Sequence, residues 1–221
     1  MRVLIVAATK PEVEPLMEAL GMQISDEGDN IYVTRHISVA NCTVLITGAG
    51  MVPTAFALAK HLPHNVYNLV INLGIAGSFD RDIPLGELAE ITEDTFAELG
   101  AEDDKQFISI EKLGFGASIF KPTSSLAHFI KKVKLDQAKA ITVNKVHGNE
   151  DSIAATITRL NPQLESMEGA AFFYACHQLK VPCIQIRAVS NYVEKRNRDN
   201  WQIGLAVKNL NNFALELIKE L

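Results

Sequence analysis

The segment YNLVINLGIAGS, at residues 67–78, gives the first evidence of the fold class. Its first part, from Tyr67 to Leu73, is a largely apolar run, which is typical of a central strand that is buried on both faces. The glycine-bearing turn that follows allows positive φ angles and a close approach of a ligand to backbone N–H groups. Ligands of open α/β sheets bind beyond the carboxyl ends of the strands, so this turn is a candidate wall of a pocket.

Short strand patterns alternate with helical ones on both sides of this stretch, which predicts an α/β fold around a largely parallel or mixed sheet. The predicted strands are Arg2–Ala8, Ile31–Ser38, Cys42–Thr47, Leu88–Thr92, Ala140–Val146 and Pro182–Ser190. The predicted helices are Pro11–Leu20, Val52–His61, Glu168–Leu179 and Trp201–Leu221. The polar, weakly periodic segment 95–123 is predicted to be a long excursion from this core.

Composition narrows the possible classes of function. A chain of 221 residues with a formal charge of −5 suits one α/β domain and argues against a general nucleic-acid binder. The sequence contains no apolar run long enough to cross a membrane, and the apolar start runs into charged residues without a cleavage pattern. Three cysteines without metal-ligand spacing indicate reduced, buried thiols and a cytoplasmic protein with no metal site.

Two glycine turns invite comparison with a dinucleotide-binding loop. The first, Thr47-Gly48-Ala49-Gly50, lacks the third glycine of that fingerprint, because Pro53 stands in its place. The spacing of Gly74 and Gly77 also departs from the fingerprint. Each turn by itself favours a structural role over ligand binding.

Two glutamates are candidate site residues, and each also has a structural explanation. Glu12 completes a capping box with Thr9, yet it follows the first strand, where a carboxylate could deprotonate a water molecule. Glu168 precedes a small-residue helix and would gain from the helix dipole. It could equally grip two neighbouring ribose hydroxyls with its two oxygens.

The end of another apolar strand carries further polar residues. Arg187 is a charge within a buried run and therefore needs a partner, for which a core carboxylate is the simplest candidate. Asn191 could be a turn residue or a ligand-binding amide. Together with the two glutamates and the glycine turns, these residues predict a small-molecule site at the strand ends.

In these segments the chain resembles the nucleoside phosphorylase and nucleosidase superfamily, in its hydrolytic branch near the methylthioadenosine/S-adenosylhomocysteine nucleosidases. The resemblance implies a single-domain, three-layer α/β/α fold over residues 1–221 with a central mixed, largely parallel sheet. It also implies a purine nucleoside as the small-molecule partner, no cofactor, no nucleic acid or membrane partner, and a homodimer or higher homo-oligomer. The resemblance implies that Glu12, with help from Arg187, activates a water molecule. It implies that Ala76 and Gly77 line the pocket for base and ribose, that Met167 packs under the sugar and that Glu168 binds the ribose hydroxyls. Ser190 and Asn191 are implied to contact the purine.

One position departs from the adenine-releasing members, which carry Asp where this chain has Asn191. An amide can donate a hydrogen bond to the oxygen of a 6-oxopurine, whereas a buried carboxylate facing that oxygen would be poorly matched. The segments ESMEGAAFFYA at 165–175 and SNYVEKRNRDNW at 190–201 resemble those of futalosine hydrolases. The resemblance therefore implies hydrolysis that releases hypoxanthine. Release of adenine, a phosphorylase reaction and non-catalytic nucleoside binding remain alternatives.

Overall fold

The computed structural model describes residues 1–25, 28–33, 41–130 and 134–221. In this part of the chain the strands are β1 Arg2–Ala7, β2 Gln23–Ser25, β3 Gly28–Val33, β4 Asn41–Ile46, β5 Leu69–Ser78, β6 Leu88–Phe96, β7 Gly100–Asp103, β8 Gln106–Ser109, β9 Ile119–Phe120, β10 Asp136–Thr142, β11 Leu164–Ser166 and β12 Cys183–Tyr192. The α-helices are α1 Lys10–Ala19, α2 Met51–His61, α3 Leu126–Phe129, α4 Glu150–Leu160, α5 Gly169–Leu179 and α6 Ile203–Glu220.

One mixed sheet carries ten of these strands, in the order β11-β10-β6-β12-β5-β1-β4-β3-β2, with β9 added beside β6. The strands β1, β4, β5 and β12 run parallel to one another, so their carboxyl ends lie at one edge. The predicted α/β class and the mixed sheet are therefore confirmed. Parallel pairs do not dominate, because β12–β6, β11–β5, β2–β3, β3–β4 and β6–β9 are antiparallel.

The sheet also closes on itself. The three-residue strand β11 pairs in parallel with β10 and antiparallel with β5, so that β5, β12, β6, β10 and β11 form a closed ring. The expected open, layered sheet did not include this ring. The reason is physical: a strand of three residues carries too little periodicity to be recognised, yet it joins two sheet edges.

Side chains on the two faces of β1 enter two different apolar clusters, as the alternation of a strand requires. Val3 and Ile5 pack with residues of α1 and α6, including Leu16 and Leu210. Leu4 and Val6 pack instead with residues of α2 and α5, including Leu58, Phe172 and Phe173. Helices thus cover this strand on both faces, which explains why its sequence is apolar throughout.

Several predicted boundaries needed correction. The strand expected at Ala140–Val146 begins earlier, at Asp136, because its first residues alternate between exposed and buried positions. The excursion 95–123 contains the end of β6, the hairpin of β7 and β8, and β9. The predicted strand Ile31–Ser38 is observed up to Val33, and its remainder, 34–38, lies outside the described residues.

Within the described ranges, no helix combines the length and apolar character that crossing a membrane demands.

Candidate active site at the carboxyl ends of the parallel strands

Glu12 lies in the first turn of α1, directly beyond β1, and is buried. Its Oε2 accepts hydrogen bonds from the backbone N–H of Thr9 at 2.9 Å and from the Thr9 hydroxyl at 2.8 Å. Its Oε1 accepts from the backbone N–H of Ile75 at 3.2 Å. The structural and functional interpretations of Glu12 are therefore compatible, because one oxygen serves the helix start and the other faces β5, where it can accept one more hydrogen bond.

Arg187 is a fully buried cation on β12, and a glycine makes room for it. A Cβ atom on Gly74 would stand 2.2 Å from Nη1 of Arg187 and 3.1 Å from Oε1 of Glu12. Nη2 donates to Oδ1 of Asn72 at 2.5 Å, and Asn72 is itself anchored by donation to the carbonyl of Val6 at 2.9 Å. Gly74 therefore permits the guanidinium to lie across β5 beside Glu12.

Glu168 provides the predicted carboxylate partner of this cation. Its Oε2 is 3.7 Å from Nη1 of Arg187. Its Oε1 accepts from the backbone N–H of Gly50 at 2.9 Å, and Gly50 has a φ of +99° that favours glycine. The first glycine turn thus orients an acid of the site.

A further buried acid, Asp94, lies beneath this cluster and was not predicted from the sequence. It accepts hydrogen bonds from the Thr142 hydroxyl at 2.7 Å and from the Gln185 amide at 2.8 Å. Burial raises the pKa of Asp94 to about 6, although these hydrogen bonds and the charge of Arg187 act in the opposite direction. A Cβ on Gly169 would lie 2.0 Å from Oδ2 of Asp94, so the start of α5 packs directly on this carboxyl group. The expected strand ended at Thr92, two residues before Asp94, and a lone acid in a strand gives no sequence signal.

Ser190 and Asn191 lie side by side near the end of β12, next to the second glycine turn. The Ser190 hydroxyl is 3.2 Å from the carbonyl of Ala76 and 2.9 Å from Oδ1 of Asn191. The Asn191 amide donates to the carbonyl of Tyr192 at 3.1 Å. These contacts fix the orientation of the amide and leave one of its N–H bonds for another acceptor.

The structure thus brings the predicted site residues to one edge of the sheet in two neighbouring groups. One contains the charges and the other surrounds the second glycine turn, with Met167 half-buried at the junction of β11 and α5. Their roles stay predictions. The charged group consists of Glu12, Glu168 and Arg187. The group around the second glycine turn consists of Ala76, Gly77, Ser190 and Asn191.

Sequence reasoning missed the residues that hold these groups in place. Asn72 lies inside the predicted central strand, and an amide within an apolar run does not indicate by itself that it anchors Arg187. His147 and Glu165 also lie beside Asn191, in the lining of one cavity. The signal available for Glu165 was its place in the ESMEG segment, as the second residue of a strand too short to predict.

Comparison with known proteins gives one family over nearly the whole chain. The model of the phosphorylase superfamily matches residues 2–219. A futalosine hydrolase from Streptomyces coelicolor is 29% identical over 98% of this chain and 95% of that protein. A 5′-methylthioadenosine/S-adenosylhomocysteine nucleosidase from Colwellia psychrerythraea is 25% identical over 98% of this chain and 94% of that protein.

Solved structures agree on the fold. The native structure of futalosine hydrolase from Helicobacter pylori superposes with a TM-score of 0.84, covering 100% of this chain and 98% of that chain at 17% identity. These relatives are by name hydrolases and nucleosidases, which is the enzyme class that the sequence predicted.

Proposed function

Because the chain belongs to the phosphorylase superfamily, we propose that it is an N-glycosidase that hydrolyses futalosine and releases hypoxanthine, a step of menaquinone biosynthesis. The observation that carries the choice of substrate is Asn191, an oriented amide with an available N–H bond at the position where adenine-releasing relatives carry Asp. The 29% identity to a futalosine hydrolase over nearly the full length supports the same choice.

Glu12 acts on the nucleophile in this proposal. A water molecule donates a hydrogen bond to Oε1, which, among the described residues, accepts one hydrogen bond, from the backbone N–H of Ile75 at 3.2 Å. As the bond between the anomeric carbon and the base breaks, its electron pair moves into the purine and the sugar becomes cationic. The water oxygen then bonds to the anomeric carbon while its proton passes to Glu12, which acts as the general base. The departing purine anion takes up a proton from solvent and leaves as neutral hypoxanthine.

Glu168 and Arg187 hold the sugar and the water in this geometry. Glu168 accepts hydrogen bonds from two ribose hydroxyls, and its negative charge also favours the developing cation. Arg187 is 3.7 Å from Glu168 and lies near Glu12, so its positive charge offsets the repulsion between the two carboxylates. Met167, which directly precedes Glu168, packs under the sugar.

The second glycine turn accommodates the leaving group. Gly77 leaves space beside Asn191, because a Cβ there would be 3.2 Å from the Asn191 amide nitrogen. Asn191 donates to O6 or N7 of the purine, which draws electrons into the base as the bond breaks. Ser190 orients Asn191, and the backbone at Ala76 and Gly77 lines the site of base and ribose.

The same geometry favours water over phosphate as the nucleophile. A phosphate dianion next to the carboxylate of Glu12 would be repelled, and the low dielectric of a buried site strengthens that repulsion. We therefore expect a reaction that is independent of phosphate.

The test is incubation of the purified protein with futalosine, inosine and methylthioadenosine, each with and without phosphate, followed by chromatography of the released base. Hypoxanthine from futalosine at a rate unaffected by phosphate is the expected result. Adenine from methylthioadenosine as the main product would mean that the chain is a nucleosidase of the other type. A strict need for phosphate would make it a phosphorylase.

The variant Asn191→Asp tests the observation that carries the proposal. It exchanges an N–H donor for an acceptor at the base, so we expect release of hypoxanthine to fall by about 10- to 100-fold. Release of adenine should fall less or rise. Equal losses for both bases would separate Asn191 from base selection.

The assembly and location belong to the proposal as well. Val52 and Phe56 stand one turn apart on α2 with exposed fractions of 78% and 70%, and such a pair supports a homodimer or larger homo-oligomer. Light scattering of the wild type and of Phe56→Ser would test this. We also propose that residues 1–221 form one domain and that the enzyme is cytoplasmic, as its three buried cysteines suggest.

A further inference from the structure

A second buried carboxylate, Glu165, lies beside Asn191 and outside the Arg187 group. Gly77 is paired with Glu165 of β11 on one side and with Asn191 of β12 on the other. A Cβ on Gly77 would be 3.2 Å from the amide nitrogen of Asn191 and 3.7 Å from Cγ of Glu165. Both side chains line the same cavity. The closure of the ring therefore places an acid next to the amide that is expected to meet the base.

His147 fixes this acid in position. The backbone N–H of His147 donates to Oε1 of Glu165 at 2.9 Å, and the Nδ1 of His147 lies 2.6 Å from Oε2. The Nε2 of His147 is in turn 2.9 Å from the hydroxyl of the buried Thr156. Burial raises the pKa of Glu165, and the hydrogen bonds from His147 oppose that shift and favour the ionised form. Each carboxylate oxygen retains the capacity to accept another hydrogen bond.

The chemistry of purines makes this pair of groups informative. A 6-oxopurine presents an acceptor, O6, next to a donor, N1–H. A 6-aminopurine presents the reverse, an amino donor next to N1 as an acceptor. An amide N–H from Asn191 and a carboxylate from Glu165 match the first pattern, whereas a carboxylate facing the lone pair of N1 leaves both groups unmatched.

We propose that Glu165, held in place by His147, accepts a hydrogen bond from N1–H of a 6-oxopurine and thereby excludes 6-aminopurines from the site. This inference rests on the proposed function, in that the site binds a purine base. It adds a second specificity-determining residue, which acts on a different atom of the base from Asn191.

The first experiment measures binding of free hypoxanthine, 1-methylhypoxanthine and adenine to the wild-type protein by titration calorimetry. Loss of the N1–H donor leaves a buried carboxylate unmatched, so 1-methylhypoxanthine and adenine should each bind about 10- to 100-fold more weakly than hypoxanthine. This comparison needs no variant and so does not depend on whether a variant folds.

The second experiment repeats the titrations with Glu165→Gln, whose amide can turn either its oxygen or its nitrogen to the base. The preference for hypoxanthine over adenine should shrink by about 10-fold or more, because the variant can donate to N1 of adenine. The methyl group of 1-methylhypoxanthine adds the same bulk in the wild type and in the variant. If methylation of N1 weakens binding less in the variant, the difference measures the hydrogen bond between N1–H and Glu165.

Glu98→Gln is the matched control. Glu98 is exposed and contacts the loop that carries His147, because it accepts a hydrogen bond from the backbone N–H of Asn144 at 3.2 Å. This variant should leave the ratio of hypoxanthine to adenine affinity unchanged, whereas Glu165→Gln should alter it.

The outcomes distinguish a failure of the proposed function from a failure of the role proposed for Glu165. If no purine base binds the wild type, the proposed function fails. If the bases bind but methylation of N1 has no effect, or if Glu165→Gln weakens all three in parallel, the proposed function stands and Glu165 is merely a structural anchor of the loop.

Discussion

Two openings lie at opposite ends of the parallel strands, and they differ in size and in chemistry. The groove at the amino ends, next to Met1, Asn68 and Pro182, has a volume of about 930 Å³, whereas the cavity beside Asn191 at the carboxyl ends has a volume of about 60 Å³. Among the described residues that line the groove, His128 has the one titratable side chain.

Buried charges, by contrast, are concentrated at the carboxyl ends. Glu12, Glu165, Glu168 and Arg187 are each less than 9% exposed there. Burying charges is unfavourable unless they are paired, so a fold that gathers several of them has a reason beyond packing. Desolvated, oriented polar groups, rather than the volume of an opening, therefore distinguish the candidate site.

The largest effect should come from the acid that is expected to activate water. Glu12→Gln keeps an oxygen for the cap of α1 but removes the base, so kcat for release of the purine should fall by about 100- to 10,000-fold. Glu14→Gln, at a half-exposed residue that pairs with Lys10, is the control and should retain normal kcat. Near-normal turnover by Glu12→Gln would mean that the carboxylate of Glu12 does not activate water, so the buried charges would no longer mark the carboxyl ends as the reactive end of the sheet.

Gly74→Ala should have the next largest effect. The new Cβ would stand 2.2 Å from Nη1 of Arg187, so the guanidinium must move away from Glu12. A displacement of about 1 Å can reduce turnover by about 100-fold. Gly204→Ala, whose added Cβ would meet no atom within 4 Å, should be silent in the same assay. Full activity of Gly74→Ala, with an unchanged circular dichroism spectrum, would show that the position of Arg187 is not critical.

Asp94→Asn should change how stability depends on pH. Because burial raises the pKa of Asp94 from its ordinary value of 3.8 to about 6 in the fold, the native state binds more protons than the unfolded chain between these values. This acid therefore makes the protein more stable as the pH falls through 6, by up to about 3 kcal/mol. The variant is neutral at every pH, so its stability relative to the wild type should be greater at pH 7.5 than at pH 5. Thermal unfolding at both pH values measures this, and a constant difference would mean that Asp94 is ionised throughout.

The smallest effect belongs to the amino-end groove. His128→Ala removes its titratable side chain, and we expect kcat and KM to change by no more than about twofold, as for most surface substitutions. A large loss of activity would mean that the groove takes part in the reaction and that the contrast between the two ends is false.

Sequence patterns predicted the central part of the fold well, because its strands are buried on both faces. For β1 the predicted and observed ends differ by one residue, and α1 and α2 each begin one residue before the predicted start. The sequence also singled out Glu12, just beyond β1, and Arg187, a charge inside an apolar strand, as candidates, and their roles stay predictions. The sequence could not reveal that one glycine, Gly74, brings the two together.

Features that depend on distant contacts were missed for physical reasons. The ring closes through β11, whose three residues have no periodicity of their own. Asp94 receives its raised pKa from burial beneath α5, and nothing in its neighbouring residues indicates that burial. The bracing of Glu165 by His147 joins residues that are 18 positions apart across a helix, α4, that was not predicted.

The contacts that join different elements at the candidate site are remote along the chain, and this affects how the protein folds. Ile75 meets Glu12 across 63 positions, Arg187 meets Asn72 across 115, and Glu168 meets Gly50 across 118. Contacts of this range form late, because long loops must close before they can stabilise the chain. No short fragment can contain a working part of the site. During refolding, recovery of activity should therefore lag behind recovery of helical signal, and catalysis becomes a reporter of the finished topology.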